Sequence, residues 1–215
     1  MLIIIHFDSI MAINDEQGVD SMAINENDSR VKRTKKLIRK GITELAKEKS
    51  INKITVKELT DLIEINRGTF YLHYKDIYDL VESIENNIYI DFNNIISSIN
   101  SQSIIEAPIN ILESFCVFVD ENADVFSMLI GEHGDAKFVY KIGTTMNQKC
   151  KEIFRNIYPE MNEDIYQITY DYCKAGSIGL LRYWLLNNRE WTPRYVAEIW
   201  LKVTSRGVWV ITNRD

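Results

Sequence analysis

Apolar residues recur at helical spacing along most of the chain, and this pattern predicts an all-α protein. From Asp76 to Ile99, apolar side chains return every three or four positions, so we expect one long helix of roughly 35 Å. Only nine glycines and three prolines are available to interrupt such helices. Further helices are predicted at 104–119, at 120–130, from Asp135 to about Ile157, from Asn162 to Asn188 and from Trp191-Thr192-Pro193 onward.

Two short helices joined by a tight turn are predicted within residues 55–74. The sequence Thr55-Val56-Lys57-Glu58 has the pattern of a capping box, in which the Thr55 and Glu58 side chains each accept a hydrogen bond from the other residue's backbone amide. Asn66 is placed to cap the second helix, whose inner face would carry Phe70. Helices this short are marginal alone. A first helix beginning near Ser29 or Arg30 is therefore expected to pack against both.

Positive charge is concentrated around this segment. Residues 30–75 contain thirteen basic and five acidic residues, a net charge of +8, whereas the whole chain carries −6. The remainder of the chain therefore carries −14. A basic module in an acidic protein directs the attraction for phosphate to that module, so double-stranded DNA becomes the expected partner.

Other functional classes find little support in the sequence. Cysteines 116, 150 and 173 are scattered without metal-ligand spacing, which favours a reduced, cytoplasmic compartment. Glu132, His133 and Asp135 fall in a predicted surface loop, and we favour a loop over a metal site there. There is no paired nucleophile and base and no glycine-rich phosphate loop, so we expect neither an enzyme nor a cofactor.

The amino-terminal residues 1–28 do not continue the helical pattern. The apolar stretch Leu2–Ile5 is far too short to span a membrane. The tetrapeptide Met-Ala-Ile-Asn occurs at 11–14 and again at 22–25, each time followed by polar residues. We interpret 1–28 as a flexible arm, or in part as sequence upstream of a start at Met11 or Met22.

Residues 65–75 read Ile-Asn-Arg-Gly-Thr-Phe-Tyr-Leu-His-Tyr-Lys. This order resembles the recognition-helix signature of the TetR family of bacterial transcription regulators, with Gly68, Tyr71 and His73 at the family's spacing. The resemblance implies a three-helix helix-turn-helix DNA-binding domain at 29–75. It also implies a long helix leading into a helical effector-binding and dimerisation domain at 76–215. One departure is Ile77, where the family often has a lysine, and this removes one expected phosphate contact.

The resemblance also implies roles for individual residues. Thr55 would contact a phosphate, and Arg67 would pair with guanine, for which its guanidinium has the right geometry. Tyr71 and His73 would bond phosphates, although a core position stays open for each of them, and Tyr74 is expected on the Phe70 face. The expected DNA-binding residues are Thr55, Asn66, Arg67, Gly68, Thr69, Tyr71, His73 and Lys75.

The second domain is expected to bind an unknown small-molecule effector and a second copy of the chain. Its aromatic residues and methionines line an effector cavity in one interpretation and fill the core in another. The pocket candidates are Phe115, Phe118, Phe126, Met128, Phe138, Met146 and Tyr172. Small residues beside the apolar segment 178–186 favour close packing between subunits. The interface candidates are Ala175, Gly176, Gly179, Leu180, Tyr183, Trp184, Trp200 and Val203.

Taken together, these features predict a homodimeric, ligand-responsive transcription regulator, and we expect a repressor. Its two recognition helices would enter successive major grooves of a near-palindromic operator, about 34 Å apart. The alternative is a helical interaction protein, or an activator of the same fold without an effector.

Overall fold

The computed structural model describes residues 21–132 and 134–212, with side chains within 29–132 and 134–205, and all regular structure in these residues is helical. The described residues form ten α-helices and a short 3-10 turn at Ile51–Lys53. The helices are α1 (Ser21–Glu48), α2 (Val56–Leu62), α3 (Arg67–Tyr71), α4 (Ile77–Ser97), α5 (Ser101–Glu106), α6 (Pro108–Glu121), α7 (Ala123–Ile130), α8 (Ala136–Ile157), α9 (Glu163–Asn187) and α10 (Pro193–Thr212). His133 and residues 1–20 lie outside the described residues.

Helix α1 begins earlier than the sequence pattern predicts. In the described residues it starts at Ser21, not at Ser29 or Arg30, whereas the assignment of 1–28 as a flexible arm stays a prediction. Residues 21–28 contain neither proline nor glycine, and nothing in them stops a helix from extending toward its amino end. By compactness the chain divides into two units, Met1–Leu37 and Ile38–Asp215. The domain boundary at residue 75 stays a prediction.

Helices α4, α8, α9 and α10 begin where the sequence places them. The Asp76 carboxylate accepts a hydrogen bond from the Asp79 amide at 2.8 Å and starts α4. Asp135 accepts from the amides of Lys137 and Phe138 and starts α8. Asn162 does the same for α9, and α10 begins at Pro193 directly after Thr192. Local capping chemistry therefore fixes these boundaries.

The stretch 104–130 is divided differently from the prediction. The expected helix 104–119 is interrupted, because α5 ends at Glu106 and α6 begins at Pro108. Proline has no amide hydrogen and cannot continue the preceding helix, but it fits the first position of the next one. The second boundary falls at Asn122, whose side-chain amide donates to the Phe118 carbonyl oxygen at 3.0 Å. Helix α7 thus starts at Ala123, not Asp120.

One face of helix α4 is buried along its whole length. Leu80, Ile88 and Phe92 are each 1% exposed or less. The helix contacts the 3-10 turn at one point and α8 at another. The chain segment that follows α3 is therefore held within the same core as the later helices.

A polar cluster interrupts this core between α4 and α8. The hydroxyls of Tyr89 and Thr145 share a hydrogen bond of 2.9 Å, and the Lys141 ammonium lies 3.9 Å from the centre of the Tyr89 ring. One carboxylate oxygen of Glu85, Oε1, is buried without a hydrogen-bond partner. Burial raises the pKa of Glu85 to about 7; the negative charge of Asp135 adds to this, and Lys141 opposes it. Glu85 is thus poised to change charge near neutral pH.

Candidate nucleic-acid interface

The start of α2 is built by a complete capping box. The Glu58 amide donates to the Thr55 hydroxyl at 3.2 Å, and the Thr55 amide donates to Glu58 Oε2 at 2.9 Å. The Lys49 ammonium lies 2.5 Å from the other Glu58 oxygen. This ion pair, with the bonds from Thr55, lowers the pKa of Glu58 to about 2. Both carboxylate oxygens of Glu58 are therefore engaged in contacts within the protein, whereas Thr55, at the start of α2, is exposed to solvent.

The turn between α2 and α3 depends on one residue in the left-handed region. Glu64 has a φ of 56°. The Ile65 amide donates to the Thr60 carbonyl at 3.0 Å, which closes the end of α2 in a Schellman arrangement. Few non-glycine residues adopt this conformation, and here it sets the angle at which the chain enters α3.

Helix α3 has only five residues and is positioned from both sides. At its start, Asn66 Oδ1 accepts a hydrogen bond from the Gly68 amide at 2.7 Å. On its inner face, Phe70 is fully buried, with its ring centre 5.8 Å from that of Tyr74. Tyr74 is half-buried, and desolvation raises its pKa, as expected for a residue packed on the Phe70 side. The outer face of α3 is consequently free to meet a ligand.

Close packing of α1 on α2 fixes the module from behind. At Gly41 a Cβ atom would lie 2.5 Å from Ile63 Cγ2 and 2.7 Å from Leu59 Cδ1. Ile38, Ile42 and Leu59 are fully buried at this contact. A glycine is thus required for α1 to approach α2 this closely.

None of the residues expected to bind DNA is buried. Thr69 and His73 are half-buried, and Tyr71 is 56% exposed, which excludes a core position for Tyr71. The exposed members of the set are Thr55, Asn66, Arg67, Gly68, Tyr71 and Lys75. Four consecutive residues, 66–69, carry outward groups at the start of this short helix, and the next residue, Phe70, lies in the core.

The residues after α3 enter α4 directly. The Lys75 amide donates to Asp79 Oδ2 at 2.9 Å, so the backbone at Lys75 is fixed while its side chain stays exposed. Ile77 is 4% exposed and belongs to the core, and no phosphate contact can come from it.

Two exposed residues in this region escaped the sequence analysis. Leu72 is 81% exposed and Tyr78 is 62% exposed. Leu72 could have been recognised from its position, because it lies two residues from Phe70 and so faces away from the core side of the helix.

Comparison with known proteins identifies the chain. Residues 106–206 match the family model TetR_C_8, a transcriptional regulator C-terminal region. This match covers the part of the chain that follows the helix-turn-helix and its TetR-like signature. The matched region, residues 106–206, belongs to the TetR family of transcriptional regulators.

Solved structures of low identity share the fold of this TetR-family regulator. One is NalD of Pseudomonas aeruginosa, the secondary repressor of the MexAB-OprM multidrug efflux pump: 16% identity over 82% of this chain and 97% of that chain, TM-score 0.59. A TetR transcriptional regulator from Streptococcus agalactiae has 20% identity over 84% and 98%, TM-score 0.54. DhaS, a dihydroxyacetone kinase operon activator, has 16% identity over 83% and 97%, TM-score 0.50. No curated protein matches the chain by sequence.

As a member of this family, the chain is a DNA-binding transcription regulator and not an enzyme. Within the described residues, no helix is long and apolar enough to cross a bilayer. No cluster of three or more potential metal ligands occurs in that same part of the chain.

The pocket candidates of this TetR-family regulator fall into two groups. Most of them belong to or pack against the core: Phe115, Phe118, Phe126, Met128, Phe138 and Met146. Tyr172 is 72% exposed on α9, and the expectation that it lines an interior pocket is wrong. Within the core, the Phe115 ring lies 6.1 Å from that of Phe92 on α4 and 5.6 Å from that of Trp200 on α10.

The interface candidates also divide. Trp184 is fully buried, and its indole N–H donates to the Trp191 carbonyl at 3.0 Å, so it cannot contact a partner subunit and that expectation is wrong. Leu180 and Trp200 are half-buried, and Trp200 packs on Phe115. The exposed candidates are Ala175, Gly176, Gly179, Tyr183 and Val203.

Proposed function

We propose that this TetR-family regulator is a cytoplasmic, ligand-responsive repressor that binds a near-palindromic operator as a homodimer. The observation that carries the proposal is the outer face of α3, which presents Arg67, Gly68 and Tyr71 to solvent while Phe70 anchors the helix in the core. Such a helix fits the major groove, where Arg67 can donate two hydrogen bonds to guanine.

Operator selection from a random DNA library, followed by gel-shift titration, tests the DNA contact. Arg67→Ala should weaken binding to the selected site while the circular dichroism spectrum stays unchanged. The matched control is Arg155→Ala, which removes one exposed arginine from α8. Affinity should also fall about 10³–10⁵-fold between 50 and 200 mM salt if the dimer makes six to ten phosphate contacts. Equal operator affinity for both variants would contradict the assignment of α3.

An exposed apolar stripe on α9 supports the homodimer. Its large members are Ile168, Tyr172, Tyr183 and Leu186, each more than half exposed. At 100° per residue these positions, with Ala175, Gly176 and Gly179, fall on one side of the helix, and none is charged. A Cβ atom built on Gly176 or Gly179 would meet nothing within 4 Å. The stripe is unusually apolar for a surface that remains in water.

The order of residues along the stripe suits a second copy of itself. Tyr172 and Gly176 precede the midpoint by the same intervals at which Tyr183 and Gly179 follow it. A two-fold axis between Gly176 and Gly179 would therefore pair Tyr172 with the partner's Tyr183. Two-fold interfaces are self-complementary in this way, and the glycines would allow the two α9 helices to approach closely.

The substitution Gly179→Leu tests this pairing. The side chain has free space in the single subunit, so the fold should keep its stability, but it would separate the two α9 helices. Analytical ultracentrifugation should show dissociation at concentrations where the unchanged protein is dimeric. Ala136→Leu, at an exposed position of α8, is the control and should remain dimeric. A Gly179→Leu dimer of unchanged affinity would count against the proposal.

The aromatic contact between α4 and α6 supports ligand response. Phe92 lies on the helix that follows the DNA-binding module, and Phe115 joins it to α6 and α10. A ligand bound beside Phe115 would shift the position of α4 only to the extent that it binds one arrangement of α4 more tightly than another. A thermal-shift screen of metabolites, followed by operator release in a gel shift, tests this. Failure to find any ligand that both stabilises the protein and releases DNA would argue against an effector.

Repression follows from operator occupancy. A dimer reading two successive major grooves covers about two turns of DNA, enough to exclude polymerase from an overlapping promoter. A reporter driven by the selected operator should rise when the regulator is deleted. A fall would instead assign activation.

A further inference from the structure

Leu72 is the most exposed of the large hydrophobic side chains in the described part of the chain, at 81%. It directly follows the last residue of α3 and keeps a helical backbone, with φ −68° and ψ −19°. Its amide donates to the Gly68 carbonyl at 3.1 Å. Leu72 therefore extends the face of the helix on which Gly68 lies.

The core gives no reason for a leucine at this position. Phe70 is fully buried, and Leu72 is two residues, or about 200°, further round the helix. Its chain neighbours are Tyr71, which is exposed, and His73, which is half-buried. An isolated exposed leucine is ordinary on a protein surface. Here, however, it lies on the one helix face that the proposed function directs at DNA.

The chemistry of the major groove limits what a leucine can contact there. Base edges in that groove present hydrogen-bond donors and acceptors, and the one apolar group among them is the C5 methyl of thymine. Phosphate oxygens offer an alkyl side chain no favourable contact. The side chain of Leu72 is apolar like the thymine methyl, so the two groups can pack against each other.

We infer that Leu72 is a specificity-determining residue that packs on the methyl group of one thymine in each operator half-site. The inference rests on the proposed orientation of α3 in the major groove. Burying one methyl group is worth about a fourfold change in affinity at each half-site. A symmetric operator with both methyls removed should then lose about fifteenfold.

Replacement of thymine by deoxyuridine removes only this methyl and provides the test. In the selected operator, each thymine is replaced in turn, symmetrically in both half-sites, and the affinity is measured for the unchanged protein and for Leu72→Ala. We expect one position at which the unchanged protein loses about fifteenfold and Leu72→Ala loses less than twofold. Leu72→Met, which keeps an apolar side chain, should retain the sensitivity.

A control separates this contact from a general effect on the fold. Ile105→Ala removes an exposed apolar side chain from α5 and should keep the full deoxyuridine sensitivity. The inference would be overturned if Leu72→Ala and the unchanged protein lost the same affinity at every thymine. It would also be overturned if no deoxyuridine replacement changed the affinity of either protein. If Arg67→Ala still abolishes operator binding in that case, the proposed function stands. A protein that selects no DNA sequence would refute both.

Discussion

Gly41 on α1 lies close against α2, and Gly41→Ala is expected to destabilise the helix-turn-helix. The added methyl would lie 2.5 Å from Ile63 Cγ2 and 2.7 Å from Leu59 Cδ1. Carbon atoms in contact are normally about 3.5–4.0 Å apart, so both side chains must move by about 1 Å. Leu59 is fully buried, so its side chain cannot move aside into solvent. The displacement therefore passes to the backbone of α2.

Two opposing effects set the magnitude. Alanine is favoured over glycine in a helix interior by about 1 kcal/mol. Overpacking a dense core costs about 1–3 kcal/mol, and one methyl in conflict with two side chains lies at the upper end of that range. The net expectation is a loss of about 1–2 kcal/mol in the free energy of unfolding. For a protein of this size, the melting temperature should fall by roughly 2–8 °C.

Urea unfolding at fixed protein concentration measures the change. Gly143→Ala is the matched control, because Gly143 also lies inside a helix but its nearest atom is Lys174 Cδ, at 3.2 Å, near the end of a flexible side chain. That variant should gain up to about 1 kcal/mol from helix propensity. Operator affinity should fall only for Gly41→Ala, since α2 carries α3 with it. A Gly41→Ala protein as stable as Gly143→Ala would refute the reasoning.

Three further substitutions test other parts of the structure. Glu85→Gln should flatten the pH dependence of stability. The pKa of Glu85 is raised to about 7 in the native protein, which therefore loses stability as the pH rises from about 4.5 to 7. At pH 8 the variant should be about 1–2 kcal/mol more stable than the unchanged protein, as measured by urea titration. Glu64→Gly should stabilise the protein by about 0.5–1 kcal/mol in the same assay because it relieves a left-handed backbone, whereas Asp61→Gly inside α2 should destabilise it. Trp184→Phe leaves the Trp191 carbonyl without its partner and should cost about 1–3 kcal/mol without changing the dimer dissociation constant measured by ultracentrifugation.

The sequence predicts best where the physical cause is local. Thr55, Asp76 and Asp135 each cap a helix through an amide two to three residues away, and each helix begins where its cap predicts. Pro108 carried an equally local signal, since a proline ends a helix, but the apolar spacing on both sides concealed it. The extended start of α1 was missed because the residues before Ser29 do not continue the apolar spacing from which the helix was predicted.

The sides of α9 could not be predicted from spacing. Its later part is apolar nearly all round, and periodicity then gives no indication of which apolar residues face the core. Trp184, in this apolar part, was consequently assigned to the wrong environment, because it is buried and not exposed. Tyr172 was misassigned because aromatic side chains are more often found in the core than on the surface, yet it is 72% exposed.

Two helices of the DNA-binding module are so short that their positions must depend on the rest of the chain. Helices α2 and α3 have seven and five residues, too few to be stable in isolation. Their geometry is therefore imposed by α1 at Gly41 and by the core that Phe70 shares with α4. Because the buried face of α4 shares this core with Phe70, a ligand that moves α4 by even a small distance would change the packing under α3. The proposed contact between Leu72 and a base would weaken when α3 moves. The residue proposed to recognise the DNA sequence would then also respond to ligand binding.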